Sequence, residues 1–482
     1  MDKKQSVITN FIWRLLERGG TYVMNFIVSI VLARLLEPSL YGSIALVTAI
    51  TAILQVFVDS GMANSLIQKK DTDDLDYSSV FYFNLVFCLV LYLGLFLAAP
   101  LIGRIYHDAS LIPVVRVLGL TIVVSGVKNV QQAYVAKTMQ FRRFFFATLG
   151  GTIFSAAVGI TLAYLGYGVW ALVFQQLLNV TVNTAILWLT VGWKPKRMFS
   201  WQRLGSLISY GWKLLISQLL DTAYLKLYQF IIGLRYSTAD LAYYNKGDQF
   251  PNLIMENTNA SLDSVLLPVL SSEQDDRERV REMTRRAIRV STYVLMPLMA
   301  GLAVCAEPLI RLLLTEKWLP CVPYMQLFCL YYAFWPLHTA NLNAIKATGH
   351  SGIFLYLEII KKVLETAVLL VTMRYGVMAI MLGLLLSGFA SVAINAWPNK
   401  KLLGYSIPQQ LKDTFPALAL SLLMGTVILP VTWTGLPDLV KLLIMVPAGV
   451  AVYVGGSILF KLDSFRYIRE IALKLLHRGK EN

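Results

Sequence analysis

The sequence predicts an all-α polytopic membrane protein with about fourteen transmembrane helices, arranged as two pseudo-symmetric six-helix lobes plus two C-terminal helices. Three observations predict this class. The 482 residues are 56% hydrophobic and only 15% charged, with a mean hydropathy of +0.60, whereas soluble domains carry about 25% charged residues. Apolar runs long enough to cross a bilayer recur along the chain. The loops that connect them are too short to hold a folded soluble domain.

The predicted spans follow one another closely, and fourteen can be counted. The eighth and tenth are the least hydrophobic, so twelve spans are the alternative if two weaker segments are re-entrant. The first span carries charges and lacks a small-residue cleavage site, which predicts an uncleaved membrane anchor. The approximate first residues of the spans are 9, 41, 77, 112, 144, 169, 210, 240, 284, 322, 353, 376, 413 and 439.

The net charge of +15 is concentrated in alternate loops. Lys and Arg cluster after the sixth, eighth and twelfth spans and in the C-terminal tail, while the intervening loops hold about one each. This is the positive-inside pattern, and it predicts that both termini are cytoplasmic. The charge therefore indicates topology and some attraction to anionic lipid, and no nucleic-acid partner is predicted.

Short matches at a shift of about 200–210 residues indicate an internal repeat. Ile30–Arg34 matches Ile231–Arg235, and Val135–Lys137 resembles Ala344–Lys346. With six spans in each half, both halves begin on the same side, as in transporters that bind substrate between two parallel repeats. The predicted domains are an N-terminal lobe (1–200), a C-terminal lobe (201–405), two extra spans (406–462) and a basic amphipathic cytoplasmic tail (463–482).

Four predicted spans carry polar side chains at helical spacing. A charge near the bilayer centre costs at least about 2.5–3.5 kcal/mol, so such residues normally face a bundle interior or a watery cavity. In the first span one helix face carries Arg14, Glu17, Arg18 and Asn25. The alternative is that the two arginines extend from the helix end to the lipid headgroups. The other stripes are Lys213 and Asp221 in span 7; Asn245, Asp248, Asn252, Glu256, Asn259 and Asp263 in span 8; and Glu358, Lys361, Lys362 and Glu365 in span 11.

Together the stripes predict a water-filled cavity between the halves that contains both signs of charge. The alternatives are a partly solvated surface helix for span 8 and an ion-pair zipper within one helix for span 11. Cavity cations suit a phosphate-bearing ligand, because Lys and Arg form charge-assisted bonds to phosphate oxygens. The predicted cavity residues are Arg14, Glu17, Arg18, Asn25, Lys213, Asp221, Asn252, Glu256, Lys361 and Lys362, and the candidate carriers of a coupling H⁺ or Na⁺ are Asp221, Asp248, Glu256, Asp263 and Glu365.

Enzyme motifs are weak in this chain. It has no GxxxxGK[ST] loop for a nucleotide, and its four His and four Cys residues show no metal-ligand spacing. We therefore predict no catalytic residue, no metal and no cofactor. The DTDDLD segment, Asp71–Asp76, contains two DxD patterns of the glycosyltransferase kind. It lies on a loop of about a dozen residues between spans 2 and 3, and we interpret it as a solvated acidic loop.

Several segments resemble landmarks of the bacterial polysaccharide transporters, within the superfamily that also contains the multidrug and toxin extrusion carriers and the lipid II flippases. The opening W-x₃-E-x₂-G followed by LARLLEPSLYG carries the resemblance. So do DSGMANSLIQKKD (Asp59–Asp71), VFYFNL (Val80–Leu85), GYGVWALVFQQ (Gly166–Gln176) and IIGLRYSTADLAYYNKGDQ (Ile231–Gln249). The resemblance covers most of the chain and thins after about residue 400.

The resemblance implies a flippase that moves undecaprenyl-pyrophosphate-linked oligosaccharide repeat units across the bacterial cytoplasmic (inner) membrane by alternating access. Such proteins serve lipopolysaccharide, exopolysaccharide or capsule biosynthesis and are transporters, not enzymes. The implied partners are the lipid-linked oligosaccharide, membrane lipids, H⁺ or Na⁺, and a polysaccharide polymerase with its chain-length machinery. Arg14 and Arg18 fit the place of cavity arginines that bind the diphosphate.

Two other functions remain open at this point. The first is a cation-coupled drug or metabolite exporter of the same superfamily, with Asp221, Asp248 or Glu256 carrying the ion. The second, from a different class, is a membrane enzyme such as a polysaccharide polymerase. That enzyme would be expected to carry a large external loop with functional Arg and His residues, and no such loop is visible in the sequence.

Overall fold

The computed structural model describes residues 3–59, 62–69 and 71–478, and every regular element in these ranges is a helix. The predicted all-α class is therefore confirmed. Within these ranges the side chains at 3–12, 14–18, 62, 64, 206, 209–211, 213–214, 471–472 and 475–478 are outside the description. The predicted site residues Arg14, Glu17, Arg18 and Lys213 belong to this group.

The described chain folds into eighteen α-helices and two 3₁₀ turns. The turns are Glu316–Cys321 and Leu429–Trp433. The helices are α1 (Lys3–Leu35), α2 (Pro38–Asp59), α3 (Met62–Gln68), α4 (Asp74–Ile105), α5 (Leu111–Lys137), α6 (Phe141–Tyr164), α7 (Val169–Thr190), α8 (Trp201–Arg235), α9 (Thr238–Ser272), α10 (Arg277–Val304), α11 (Ala306–Leu314), α12 (Val322–Ala333), α13 (Trp335–Ala347), α14 (Ser351–Thr372), α15 (Val377–Leu403), α16 (Ile407–Ile428), α17 (Asp438–Leu459) and α18 (Asp463–Arg478).

A helix lies at each of the fourteen predicted span positions, but the count of fourteen is not confirmed. Nine segments of the described chain are long and apolar enough to cross a membrane: α2, α4, α5, α6, α7, α10, α15, α16 with its following 3₁₀ turn, and α17. Four of the other predicted spans, on α1, α8, α9 and α14, are the ones with polar stripes. The tenth is divided into α12 and α13 at Phe334, where Pro336 has no backbone N–H to continue the helix.

Packing divides the chain into two compact units, Met1–Ala242 and Tyr243–Asn482. In the first unit α6 lies against α7 and α1, α5 packs on α4 and α7, and α8 packs on α2. In the second unit α10 contacts α16, α12 and α13, and α14 lies along α15. The helix expected to open the second lobe, α8, thus clusters with the first unit, and the domain limits given above stay predictions.

Two glycines allow α2 to lie close to its neighbours in the first unit. A β-carbon on Gly42 would overlap the backbone carbonyl of Thr238, and one on Gly233 would overlap the side chain of Leu46. At Gly233 the neighbour is a side chain, which can move. At Gly42 the neighbour is the backbone of Thr238, which cannot move without shifting the start of α9.

We expect Gly42→Ala to destabilise the protein by about 1–3 kcal/mol, the usual cost of forcing extra volume into a packed site. The measurement is the thermal unfolding midpoint of the purified protein in detergent. Gly94→Ala is the matched control, because nothing lies within 4 Å of a β-carbon there and alanine is the better helix former. Equal midpoints for the two variants would contradict the close approach of α2 at Gly42.

The interpretation of Asp71–Asp76 as a solvated acidic loop is wrong for its last residues. Asp73 forms a capping box with Asp76 at the start of α4, and the backbone N–H of Asp76, with help from the Arg203 guanidinium, holds the pKa of Asp73 below its usual range. The Asp76 side chain is fully buried and pairs with Lys69 at 2.6 Å. Asp74 accepts a hydrogen bond of 3.1 Å from the indole N–H of Trp193 and forms an ion pair with Lys196.

These bonds show why the segment is acidic. Its carboxylates cap α4 and bond α4 to the connection between α7 and α8. Asp73, Asp74 and Asp76 therefore have structural partners within the protein. Sequence spacing could not reveal this, because Lys196 lies 122 positions from Asp74 in the chain.

Candidate functional site

A polar cavity of about 530 Å³ lies within the first unit, between α1, α2, α5 and α7. Its volume is in the range of about 300–1,000 Å³ that is typical of ligand sites. The walls are mostly amide and hydroxyl side chains with two charged groups. The lining residues are Asn25, Thr48, Thr51, Ala52, Gln55, Asp59, Thr121, Ser125, Lys128, Gln175, Gln176, Asn179 and Val180.

The two charges of the cavity have opposite sign. Asp59 lies at the end of α2 and accepts a hydrogen bond of 3.0 Å from the Gln55 amide. Lys128, on α5, lies close enough to attract Asp59 electrostatically. In the described part of the chain Lys128 donates no hydrogen bond and forms no ion pair within 4.0 Å. The ammonium group is therefore available to water or to a ligand in the cavity.

Several neutral polar groups of the cavity are similarly available. Asn25, Ser125, Gln175 and Gln176 have no hydrogen-bond partner for their side chains among the residues that the structure describes. Asn179 donates to Thr152 and Ser155 at 3.3 Å each, so its side chain is held in place by α6. Of the four open groups, Ser125 is buried, Gln175 and Gln176 are half-buried and Asn25 is exposed, so they can bond to water or to a ligand in the cavity.

The predicted site residues of the first unit fall into three groups. Asn25 lines the cavity. Asp221 is exposed on α8 and is not among the lining residues. Arg14, Glu17, Arg18 and Lys213 lie outside the described side chains, so their placement stays a prediction.

In the second unit, three of the six polar residues of the α9 stripe bond to the divided helix α12–α13. Asp248 accepts a hydrogen bond of 2.8 Å from the Tyr332 hydroxyl, and Asp263 accepts one of 2.7 Å from the Asn343 amide. Between them, Asn259 is bonded to Thr339. Much of this stripe is thus used to pack two helices together, which a single-helix pattern could not distinguish from a cavity wall.

Asn252 and Glu256 form the open part of the α9 stripe. Glu256 is exposed and receives a hydrogen bond of 3.4 Å from the Asn252 amide one turn earlier. These two predicted cavity residues are therefore brought together. The exposed carboxylate also agrees with the alternative of a partly solvated helix at this point.

The stripe of α14 is partly internal to its helix. Lys361 is buried and pairs with Glu358 at 2.6 Å, three residues earlier. Glu365 instead accepts a hydrogen bond of 3.3 Å from Ser391 on α15. Lys362 is half-buried on the same helix. The intrahelical ion pair agrees with the zipper alternative for Lys361, while Glu365 joins two helices.

Sequence reasoning missed most residues of the first-unit cavity. Asp59, Gln175 and Gln176 entered the sequence analysis only as parts of family landmarks, and Lys128 was not singled out at all. The available signal was a lone cation in the apolar run of α5 and a pair of amides in that of α7. On α2 the lining residues Thr48, Thr51, Gln55 and Asp59 recur at intervals of three or four, as do Thr121, Ser125 and Lys128 on α5. These two short polar faces are therefore further signals in the sequence.

A second charged cluster joins α10 to α16 in the second unit. The buried carboxylate of Asp413 accepts bonds from Arg285, at 2.5 and 2.9 Å, and from Arg289. The Tyr405 hydroxyl donates to the same carboxylate at 2.9 Å. Nearby, Arg286 lies over the ring of Tyr467 on α18, at 5.3 Å. Asp413 is therefore a structural anchor with all its partners in place.

Comparison with known proteins identifies the fold and the family. The structure is similar to the lipid II flippase MurJ in an inward closed conformation, with a TM-score of 0.75 and 15% identity over 94% of this chain and 98% of that one. It is also similar to an inward-facing multidrug resistance MATE family transporter, with a TM-score of 0.62 and 14% identity over 79% of this chain and 94% of that one. At these identities the likeness shows the fold alone.

Sequence relatives point in the same direction. The chain is 23% identical to the succinoglycan biosynthesis transport protein ExoT of Rhizobium meliloti (strain 1021), over 75% of this chain and 73% of the relative. It is also 23% identical to the lipopolysaccharide biosynthesis protein WzxC of Escherichia coli (strain K12), over 68% and 67%. A family model described as polysaccharide biosynthesis protein matches residues 31–323, which is more than half of the chain. The resemblance seen in the sequence is thus confirmed, and the chain belongs to the polysaccharide biosynthesis protein family.

Proposed function

We propose that this protein is a flippase for lipid-linked oligosaccharides, which moves repeat units on undecaprenyl pyrophosphate across the membrane by alternating access. The observation that carries the proposal is the family match over residues 31–323. The MurJ-like fold supports it, since that neighbour is named a lipid II flippase. The relative ExoT is named a biosynthesis transport protein, which supports transport as the activity and not catalysis.

The proposed setting is the bacterial cytoplasmic membrane, with both termini in the cytoplasm. Nine apolar helices of the described chain support a multi-pass membrane protein, and the positive-inside pattern supports the orientation. An interior-negative potential would push an anion outward by about 2.3 kcal/mol per charge per 100 mV. A pyrophosphate could then be driven outward without a tightly coupled ion.

In the proposed mechanism Arg14 and Arg18 capture the pyrophosphate while the lipid tail stays in the bilayer. For Glu17 two roles are proposed, a partner of these arginines when the site is empty or a carrier of the coupling ion. Asn25, Lys213, Asp221, Asn252, Glu256, Lys361 and Lys362 are the remaining proposed cavity residues. If an ion couples transport, its proposed carriers are Asp221, Asp248, Glu256, Asp263 and Glu365, with H⁺ or Na⁺ as the ion. A polysaccharide polymerase with its chain-length machinery would receive the product outside.

Depletion of the protein in its parent bacterium tests this function. We expect loss of one surface polysaccharide together with accumulation of its lipid-linked repeat unit, and recovery of both when a plasmid copy is expressed. Unchanged surface polysaccharide with altered drug resistance would overturn the proposal in favour of an exporter.

A further inference from the structure

We propose that the polar cavity of the first unit is a binding subsite for an uncharged sugar of the glycan, separate from the site that holds the pyrophosphate. The inference rests on the proposed function and adds a place for one part of its substrate. It is carried by the charge balance of the cavity and by its unpartnered hydrogen-bonding groups.

The charge balance of the described lining argues against an anion in this cavity. Among the lining residues whose side chains the structure describes, Lys128 and Asp59 are the two charged ones, and they are of opposite sign. A pyrophosphate group carries several negative charges and is normally bound by a surplus of Lys and Arg. Bringing it beside Asp59 would add like-charge repulsion that a single ammonium group does not offset. An uncharged ligand meets no such penalty.

The open polar groups match the hydrogen-bonding pattern of a sugar. Each amide of Asn25, Gln175 and Gln176 offers donors and an acceptor, the Ser125 hydroxyl can do both, and Lys128 offers donors. Every sugar hydroxyl likewise donates and accepts. A ring with several hydroxyls can therefore satisfy groups on α1, α5 and α7 at once.

The composition of the lining also indicates a modest affinity for a sugar, which suits a transporter. Among the described lining residues the apolar members are Ala52 and Val180, and none of these lining residues has an aromatic ring that could stack on the sugar. Hydrogen bonds that replace bonds to water give small net gains each. A translocated ligand has to leave as well as enter, so weak binding by several groups suits this subsite.

Binding to the purified full-length protein tests the inference with two probes. The first is the repeat-unit oligosaccharide of the parent bacterium, released from its carrier by mild acid, and the second is inorganic pyrophosphate. We expect Lys128→Met and the double variant Gln175→Leu/Gln176→Leu each to weaken oligosaccharide binding at least about fivefold, as expected for lost hydrogen bonds. Pyrophosphate binding should be unchanged.

Gln202→Leu is the matched control, since Gln202 is exposed on α8 and does not line the cavity. Thermal unfolding midpoints verify that each variant is folded. Oligosaccharide binding that is absent in the wild type, or equal in the cavity variants and the control, would overturn the inference. So would loss of pyrophosphate binding in Lys128→Met.

Failure of the subsite and failure of the proposed function give different results. If depletion leaves every surface polysaccharide unchanged, the flippase function is wrong whatever the binding data show. If depletion blocks export but the cavity variants bind the oligosaccharide normally, only the sugar subsite is wrong.

Discussion

Replacing Arg14 and Arg18 together with alanine is expected to abolish polysaccharide export while the protein still reaches the membrane. Each hydrogen bond to a charged group contributes about 1.5–3 kcal/mol. Losing two of them therefore lowers the affinity for the pyrophosphate group at least about 100-fold. The measurement is complementation of a depleted strain, with surface polysaccharide quantified at matched protein levels.

Two companion variants make this result specific. Arg14→Lys/Arg18→Lys keeps both charges but loses the planar fork of arginine, so partial export is expected. Arg104→Ala/Lys194→Ala removes the same amount of charge from exposed positions on α4 and in the α7–α8 connection and should export normally. Normal export by the alanine double variant would show that these arginines do not hold the substrate.

The second large effect is expected on stability, from Asp413→Ala. The substitution leaves Arg285 and Arg289 without their shared carboxylate, and Tyr405 loses its acceptor. Removing one partner of a buried ion pair costs about 3–5 kcal/mol. Because the two arginines are 41% and 33% exposed, water recovers part of this, and we expect the lower end, about 3 kcal/mol.

This loss is measured as a lower thermal unfolding midpoint of the detergent-solubilised protein. Asp275→Ala is the control, because Asp275 is exposed and no bond to its side chain is present in the described chain. Equal midpoints for the two variants would show that the cluster does not hold α10 against α16.

The sequence was sufficient for the fold class because membrane helices are specified locally. Each apolar run must satisfy its backbone hydrogen bonds within itself, so hydropathy alone places a helix near each of the fourteen expected positions. What hydropathy could not predict is the division of the tenth segment into α12 and α13, or the assignment of α8 to the first unit. Both depend on how helices pack.

The candidate site was harder to predict because polar faces have two uses. The carboxylates of Asp248 and Asp263 appeared equivalent to Glu256 in the sequence, yet the first two accept hydrogen bonds from α12 and α13, while Glu256 accepts one from Asn252 within α9. Conversely, Lys128 shares a short polar face of α5 with Thr121 and Ser125, and its significance comes from residues on three other helices. Periodicity within one helix can reveal a polar face, but it does not show which faces of other helices meet it.

The central claim, translocation of a lipid-linked oligosaccharide, is tested most directly by reconstitution. Purified protein is placed in vesicles whose outer leaflet is loaded with the parent bacterium's undecaprenyl-pyrophosphate-linked repeat unit, and a glycosidase added outside reports the fraction still accessible. We predict that the accessible fraction falls with time in vesicles containing the wild-type protein and stays constant both in empty vesicles and with Arg14→Ala/Arg18→Ala. An accessible fraction that is the same with the wild-type protein as in empty vesicles would contradict the account.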